Sequence, residues 1–264
     1  MRSLLALRRL LPLALLLAAA CGSSRVSLSG EVRYGKSAEE DYTAGQAEMK
    51  DHNWLEAVKF FEHARTKYPF SKFAALSELA VADVKFEQDA YVEAAEAYDG
   101  FVKLHPTHEK ADYAAYRAGE ALYRDAPTGF ILFPPTYEKD QAELLKARQR
   151  FVDFLKAWPS SQYRPQAEKL LAVAVDRLAD HEWYVAQFYA KREKWAGAAG
   201  RLEGLVREYP GSGHEVEALL QLSDVYAGKL DDRFRARQAL QQLITRHPDA
   251  ARGAGAEKRL EALR

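Results

Sequence analysis

The chain is poor in the residues that build most chemistry. One cysteine among 264 residues excludes a disulfide framework and a cysteine-based zinc site within the chain. Charge of one sign is not in excess: 38 basic and 38 acidic side chains give a formal net charge of zero, so nucleic acid meets no basic footprint. Ten prolines and 15 glycines are too few for a low-complexity coil. No G-x-S-x-G, P-loop or G-x-G-x-x-G occurs, and none of the seven histidines stands in an H-E-x-x-H. His105 and His108 straddle Pro106 in a turn, and His181 and Glu182 point to different faces of a helix. The reading is a non-enzyme with no metal, no cofactor and no catalytic residues.

What is present begins with Arg2, Arg8 and Arg9 ahead of an apolar run, Leu10 to Ala20. That run has 11 residues, whereas spanning a bilayer takes roughly 17–25. Basic start, short apolar stretch and Ala18-Ala19-Ala20 at the cut describe a secretory signal peptide over residues 1–20. Its removal leaves 35 basic and 38 acidic groups, a net of −3. The lone cysteine, Cys21, sits at the cut, and Leu17-Ala18-Ala19-Ala20-Cys21-Gly22 resembles a bacterial lipobox. Cys21 is therefore the expected lipidation site, and Gly22 after it, by resemblance to the lipoprotein sorting rule, favours the outer membrane over inner-membrane retention. A lipoprotein cysteine carries several acyl chains, and two or more anchor stably. Residues 21–36, rich in serine and glycine, read as a flexible tether.

The body carries a repeat marked by five prolines that each follow a ring: Tyr68-Pro69, His105-Pro106, Trp158-Pro159, Tyr209-Pro210 and His247-Pro248. Twelve residues before each proline is alanine: Ala57, Ala94, Ala147, Ala198, Ala236. Eight before stand Phe61, Tyr98, Phe151, Leu202 and Leu240; five before stand Ala64, Phe101, Phe154, Leu205 and Leu243. These offsets share one helical face, and proline stops the helix. The register is that of the second helix of a tetratricopeptide repeat. Twelve before the alanine lies a small residue, Gly45, Ala82 or Ala186, that lets the first helix lie close. Trp54, Tyr91 and Trp195, three before it, would plug the turn between the helices. The expected fold is an all-α tetratricopeptide-repeat α-solenoid of about five helical hairpins.

The prolines are 37, 53, 51 and 38 residues apart, against a usual repeat near 34. Gly119, the small residue of repeat three, lies 28 before Ala147, which places 16 extra residues at Asp125 to Asp140. The 51-residue gap comes instead from a stretched first helix in repeat four, with Pro165 in its first turn. Residues 37–124 thus hold repeats one and two and the first helix of repeat three. Residues 125–140 are an inserted loop, and 141–264 hold the remaining repeats and a polar cap helix over Ala250 to Arg264. Repeat five has Asp224 in the small-residue position. Ser212 followed by Glu215 reads as a capping box.

Three stretches go beyond generic repeats: Asn53 to Ala74 (NWLEAVKFFEHARTKYPFSKFA), Leu104 to Gly119 (LHPTHEKADYAAYRAG) and Asp176 to Tyr189 (DRLADHEWYVAQFY), the last followed by Arg201 to Pro210. With the lipobox they resemble the BamD family of the bacterial outer-membrane β-barrel assembly machinery, over about residues 37–250. The resemblance implies a periplasmic five-repeat solenoid that docks on a POTRA domain of the barrel-forming core subunit BamA. It also implies that the N-terminal half engages unfolded outer-membrane precursors. Arg201, Glu203 and Arg207 are then the partner-binding candidates, Arg201 being suited to a bidentate pair with a carboxylate. Tyr68, Phe70, Phe73 and Tyr113 are the precursor-binding candidates. The sequence departs from the family at GFILFPPTYEKD, residues 129–140, where many relatives have an Asp/Arg-rich loop. Phe130-Ile131-Leu132-Phe133 either tucks into the groove or forms a patch for a partner or membrane. Two other classes share these features: a different periplasmic repeat lipoprotein, such as a secretin pilotin or an envelope-division coordinator, and a hydrolase whose dispersed carboxylates converge in the fold.

Overall fold

A computed structural model describes residues 33–128 and 135–264. The signal peptide, Cys21 and the Phe130–Phe133 tetrad lie outside the described residues. The chain divides into two compact units, residues 1–34 and 35–264, and the second holds every helix described below.

Twelve α-helices are described: α1 (Ala38–Lys50), α2 (Trp54–Lys67), α3 (Lys72–Glu87), α4 (Tyr91–Leu104), α5 (Ala111–Asp125), α6 (Ala142–Ala157), α7 (Arg164–Ala190), α8 (Trp195–Glu208), α9 (Glu215–Gly228), α10 (Arg233–Arg246), α11 (Pro248–Gly253) and α12 (Ala256–Ala262). The first ten form five antiparallel hairpins, and each helix packs on the next in sequence. The fold is the all-α repeat array that the proline register implies. All fifteen register residues are at most 1% exposed, from Ala57, Phe61 and Ala64 through Ala236, Leu240 and Leu243. A face so fully removed from water contributes ~1.5–3 kcal/mol for each large side chain.

Why the helices approach so closely is visible at the glycines. A Cβ on Gly45 would lie 2.5 Å from Phe61 Cε1, and one on Gly119 would lie 2.9 Å from Phe151 Cε1. The large residue of the second helix therefore occupies the space that a side chain on the first would need. Ala82 and Ala186, at 0% exposure, hold the same position in repeats two and four.

Two kinds of link alternate. Within hairpins, His52, Asp89, Glu193 and Asp231 adopt left-handed backbone, φ 53–60°. In the first, second and fourth hairpins the amide two residues before the next helix's second residue reaches back to its predecessor: Asn53 to Glu48 O, Ala90 to Lys85 O and Lys194 to Tyr189 O. These are helix-ending bonds of the Schellman type without glycine at the left-handed site. Trp54, Tyr91 and Trp195 open the second helices directly after these turns. Between hairpins, the residue before each proline leaves helical geometry at φ −126 to −134° and ψ 54 to 65°. Four of these links then make the same two bonds, as in Ser71 N to Tyr68 O and Ala74 N to Ser71 O.

The fifth link is different. Pro248 opens α11 at once, and Gly255, at φ +62°, separates α11 from α12. The single cap helix expected over Ala250 to Arg264 is therefore two short helices. Both lie on α10, burying Ala251 and Ala256. Asp224 is mostly exposed and pairs with Arg259 of α12.

Helix α7 has 27 residues with Pro165 in its first turn. The segment between α5 and α6 is described on both sides of residues 129–134, and carries a 3-10 turn at Thr136–Glu138. Both sides are tied to α7: Arg177 donates to Pro127 O, and His181 Nδ1 donates to Tyr137 O at 2.6 Å. The capping box at Ser212 does not form. Helix α9 starts at Glu215, and Ser212 Oγ is buried without a hydrogen-bond partner among the described residues. Glu215 is drawn elsewhere, accepting from Gly211 N (2.6 Å), Arg246 (2.6 Å) and His247 (3.0 Å).

Candidate partner-docking surfaces

Helix α8 turns Ala198, Leu202 and Leu205 inward, which leaves Arg201 and Arg207 exposed and Glu203 half-buried. The three do not converge. Arg201 points to a cleft of about 380 Å³ walled by Glu182, Tyr189 and Tyr209 and floored by Gly197, Gly200 and Gly204. Its Nη1 lies 3.2 and 3.4 Å from the two Glu182 carboxylate oxygens. Glu203 faces the other way, into a cleft of about 410 Å³ between α8, α9 and α10. There it accepts from the Tyr226 hydroxyl at 2.7 Å, and Arg235 donates to the same hydroxyl at 3.1 Å. Arg207 borders both clefts and pairs with its neighbour Glu208 at 2.9 Å. Helix α8 is thus a ridge with Arg207 on its crest.

The electrostatics follow from this packing. Burial, then the hydrogen bond to Glu203, pushes the Tyr226 phenol above its ordinary range. Burial and the Glu182 charge do the same for Tyr209. Burial also acts to raise the Glu215 carboxyl, but the Gly211 N–H, Arg246 and His247 outweigh it and hold the group below its usual range. Gly200 and Gly204 need no glycine for internal packing, since a Cβ at either would meet nothing within 4 Å.

The N-terminal candidates differ sharply in accessibility. Phe70, in the first link, is fully exposed at 102%. Tyr68 is half-buried with its ring edge-on to His63. Phe73 is half-buried, 5.6 Å from the Tyr42 ring, with Lys72 Nζ 4.9 Å over its own ring. Tyr113 stands apart: its hydroxyl donates to Asp83 at 2.8 Å, ten residues along α3 from Phe73 and so ~15 Å away by helix rise.

That contact belongs to a network the sequence reading missed. Asp83 Oδ1 also accepts from Tyr98 at 2.6 Å, and Arg117 donates to the Tyr98 hydroxyl at 3.3 Å while lying 3.6 Å over the Phe86 ring. Burial raises the Asp83 carboxyl, with the two phenols and Arg117 opposing. The signal was Tyr98 itself, a tyrosine where repeats one and three have phenylalanine: a fully buried phenol needs an acceptor.

Among the described residues, no group of three or more histidine, cysteine, aspartate or glutamate side chains is arranged to hold a metal ion. No described helix is long and apolar enough to cross a membrane.

A family model described as an outer membrane lipoprotein, YfiO, matches residues 35–229, and a tetratricopeptide-repeat model matches 217–250. The outer membrane protein assembly factor BamD of Neisseria meningitidis serogroup B is 29% identical over 238 residues, 89% of each chain. That of Vibrio cholerae is 28% identical, over 76% of this chain and 85% of the relative. Among solved structures, the TPR2AB domain of yeast Sti1 covers 86% of this chain and 89% of its own at 16% identity and a TM-score of 0.39.

Proposed function

The chain belongs to the YfiO outer membrane lipoprotein family, and from this we propose that it is a non-catalytic scaffold for folding and inserting outer-membrane proteins. The observation that carries this reading is the family match over residues 35–229, joined to relatives named as assembly factors that align over most of both chains. In this proposal residues 1–20 are removed and Cys21 is acylated. The lipid holds the helical body at the periplasmic face of the outer membrane without any further cofactor. The α8 ridge docks the barrel-forming core subunit BamA through a POTRA domain: Arg201 and Glu203 address its two flanks and Arg207 its crest. Phe70 is the leading contact for unfolded precursors, flanked by Tyr68 and Phe73. Tyr113, on α5, lies farther off, against Asp83 of α3. An exposed aromatic on a fixed turn is the kind of anchor that interfaces use.

Affinity purification of the full-length lipoprotein without crosslinking tests the docking. The core subunit is expected to co-purify, and Arg201→Glu is expected to weaken its recovery. Intact recovery with that variant removes Arg201 from the interface. Depletion separates the reading from its rival: a secretin pilotin or division coordinator would leave barrel proteins at normal abundance when lost. Mass spectrometry of the mature N-terminus checks acylation of Cys21.

A further inference from the structure

Arg201 is held by one corner. Both Glu182 oxygens share Nη1, at 3.2 and 3.4 Å, and no described residue hydrogen-bonds Nε or Nη2. A guanidinium presents two forks, and the Nε–Nη2 fork matches a carboxylate through two parallel bonds. Glu182 leaves that fork unspent. The Glu182 side chain is only 19% exposed on α7, while Arg201 is 45% exposed on α8. The anchored partner is thus the carboxylate, and the accessible one is the guanidinium. Beside it, Gly200 and Gly204 leave the cleft floor without side chains, so an incoming main chain can come close.

We propose that Glu182 is a positioning residue: it fixes Arg201 with its Nε–Nη2 fork turned outward, ready for bidentate capture of a carboxylate on the docking partner. This rests on the docking role given to Arg201 above. A free arginine loses rotational freedom at several bonds when it docks, and one already tied has less to lose. Glu182 also carries a charge of the same sign as the incoming group. The two carboxylates sit at different corners of the guanidinium, and Arg207 and Glu208 on the same cleft offset each other. A blocking role would have Glu182 occupy the fork itself, which it does not.

The test measures binding of the detergent-solubilised core subunit to the full-length lipoprotein and four variants, with melting temperature as a check on folding. Arg201→Glu is expected to weaken binding by roughly tenfold or more. Glu182→Ala is expected to weaken it by about threefold to tenfold, and Glu182→Gln to restore part of the loss because its amide oxygen still accepts from Nη1. In the Arg201→Glu background, Glu182→Ala is expected to add nothing, since a positioning residue acts through the group it positions. Equal or tighter binding by Glu182→Ala in the wild-type background overturns the proposal. So does an undiminished further loss in the Arg201→Glu background, which would make Glu182 merely structural. If Arg201→Glu itself binds like the wild type, the docking reading fails, whatever Glu182 does.

Discussion

Repeats one to three and repeats four and five fill one register with different shapes. The position eight before the proline holds Phe61, Tyr98 and Phe151 in the first group, and Leu202 and Leu240 in the second. All five are fully buried. An aromatic ring reaches farther across the hairpin than leucine, and Gly45 and Gly119 stand where Phe61 and Phe151 arrive. Against leucine the facing residue is Ala186 or Asp224, and Asp224 is free to turn outward to Arg259. Repeat two marks the limit, since Ala82 suffices against Tyr98; the lesson is that glycine faces phenylalanine, so the small residue of the first helix answers a particular partner. It is not a fixed requirement of the repeat.

The largest effect that would break this comparison is removal of the ring. Phe151→Ala is expected to cost ~3–5 kcal/mol in denaturant unfolding, at the top of the range for buried apolar residues. A loss below that of Leu240→Ala would mean the aromatic repeats are not the more tightly filled. Next comes the glycine facing the ring. Gly119→Ala is expected to cost ~1–3 kcal/mol by overpacking. Combining it with Phe151→Leu should cost little beyond Phe151→Leu alone, because the pair then resembles Leu202 and Ala186. Additive losses would dissociate the two positions.

The two groups also bury carboxylates with opposite signs, which a pH series of thermal melts can separate. Glu215 titrates below its ordinary value of 4.5, so its contribution is present above that pH and is lost as pH falls through the folded value. Glu215→Gln is expected to be less stable than wild type near neutrality, with the gap closing in acid. Asp83 titrates above its ordinary value of 3.8, so the fold binds its proton more tightly than the unfolded chain does. Its contribution therefore grows as pH falls through the folded value, and Asp83→Asn should flatten that part of the profile. The smallest effect is expected at Gly204, where no neighbour stands in the way: Gly204→Ala should stabilise by about 0.5–1 kcal/mol through helix propensity.

The array was readable from sequence because proline and the apolar face act locally. At the five link prolines the preceding residue leaves helical geometry, and the three offsets before each proline then follow from the helical repeat. Side-chain pairings across helices were not readable. Arg201 with Glu182, and Asp83 with Tyr98 and Tyr113, join residues 15 to 30 apart in sequence, and spacing alone does not choose among nearby acids. The Ser212–Glu215 motif shows the same limit. Its spacing suits a capping box, yet Arg246 and His247, some thirty residues away, hold the carboxylate that the box requires. For the candidate surfaces, the sequence pointed to residues on α8 and the first link as docking candidates. It did not foresee that Glu203 and Arg201 face separate clefts, or that Tyr113 is tied up far from Phe73.

The direct passage from His247 through Pro248 into α11 sets what covers the fifth hairpin. A sixth hairpin would have to rest on the last one, but α11 and α12 already lie on α10, and Arg259 is fastened to α9 through Asp224. The outer face of that hairpin is thereby occluded, without any change in the repeating unit itself. Lengthening the stack would first require prising that lid away.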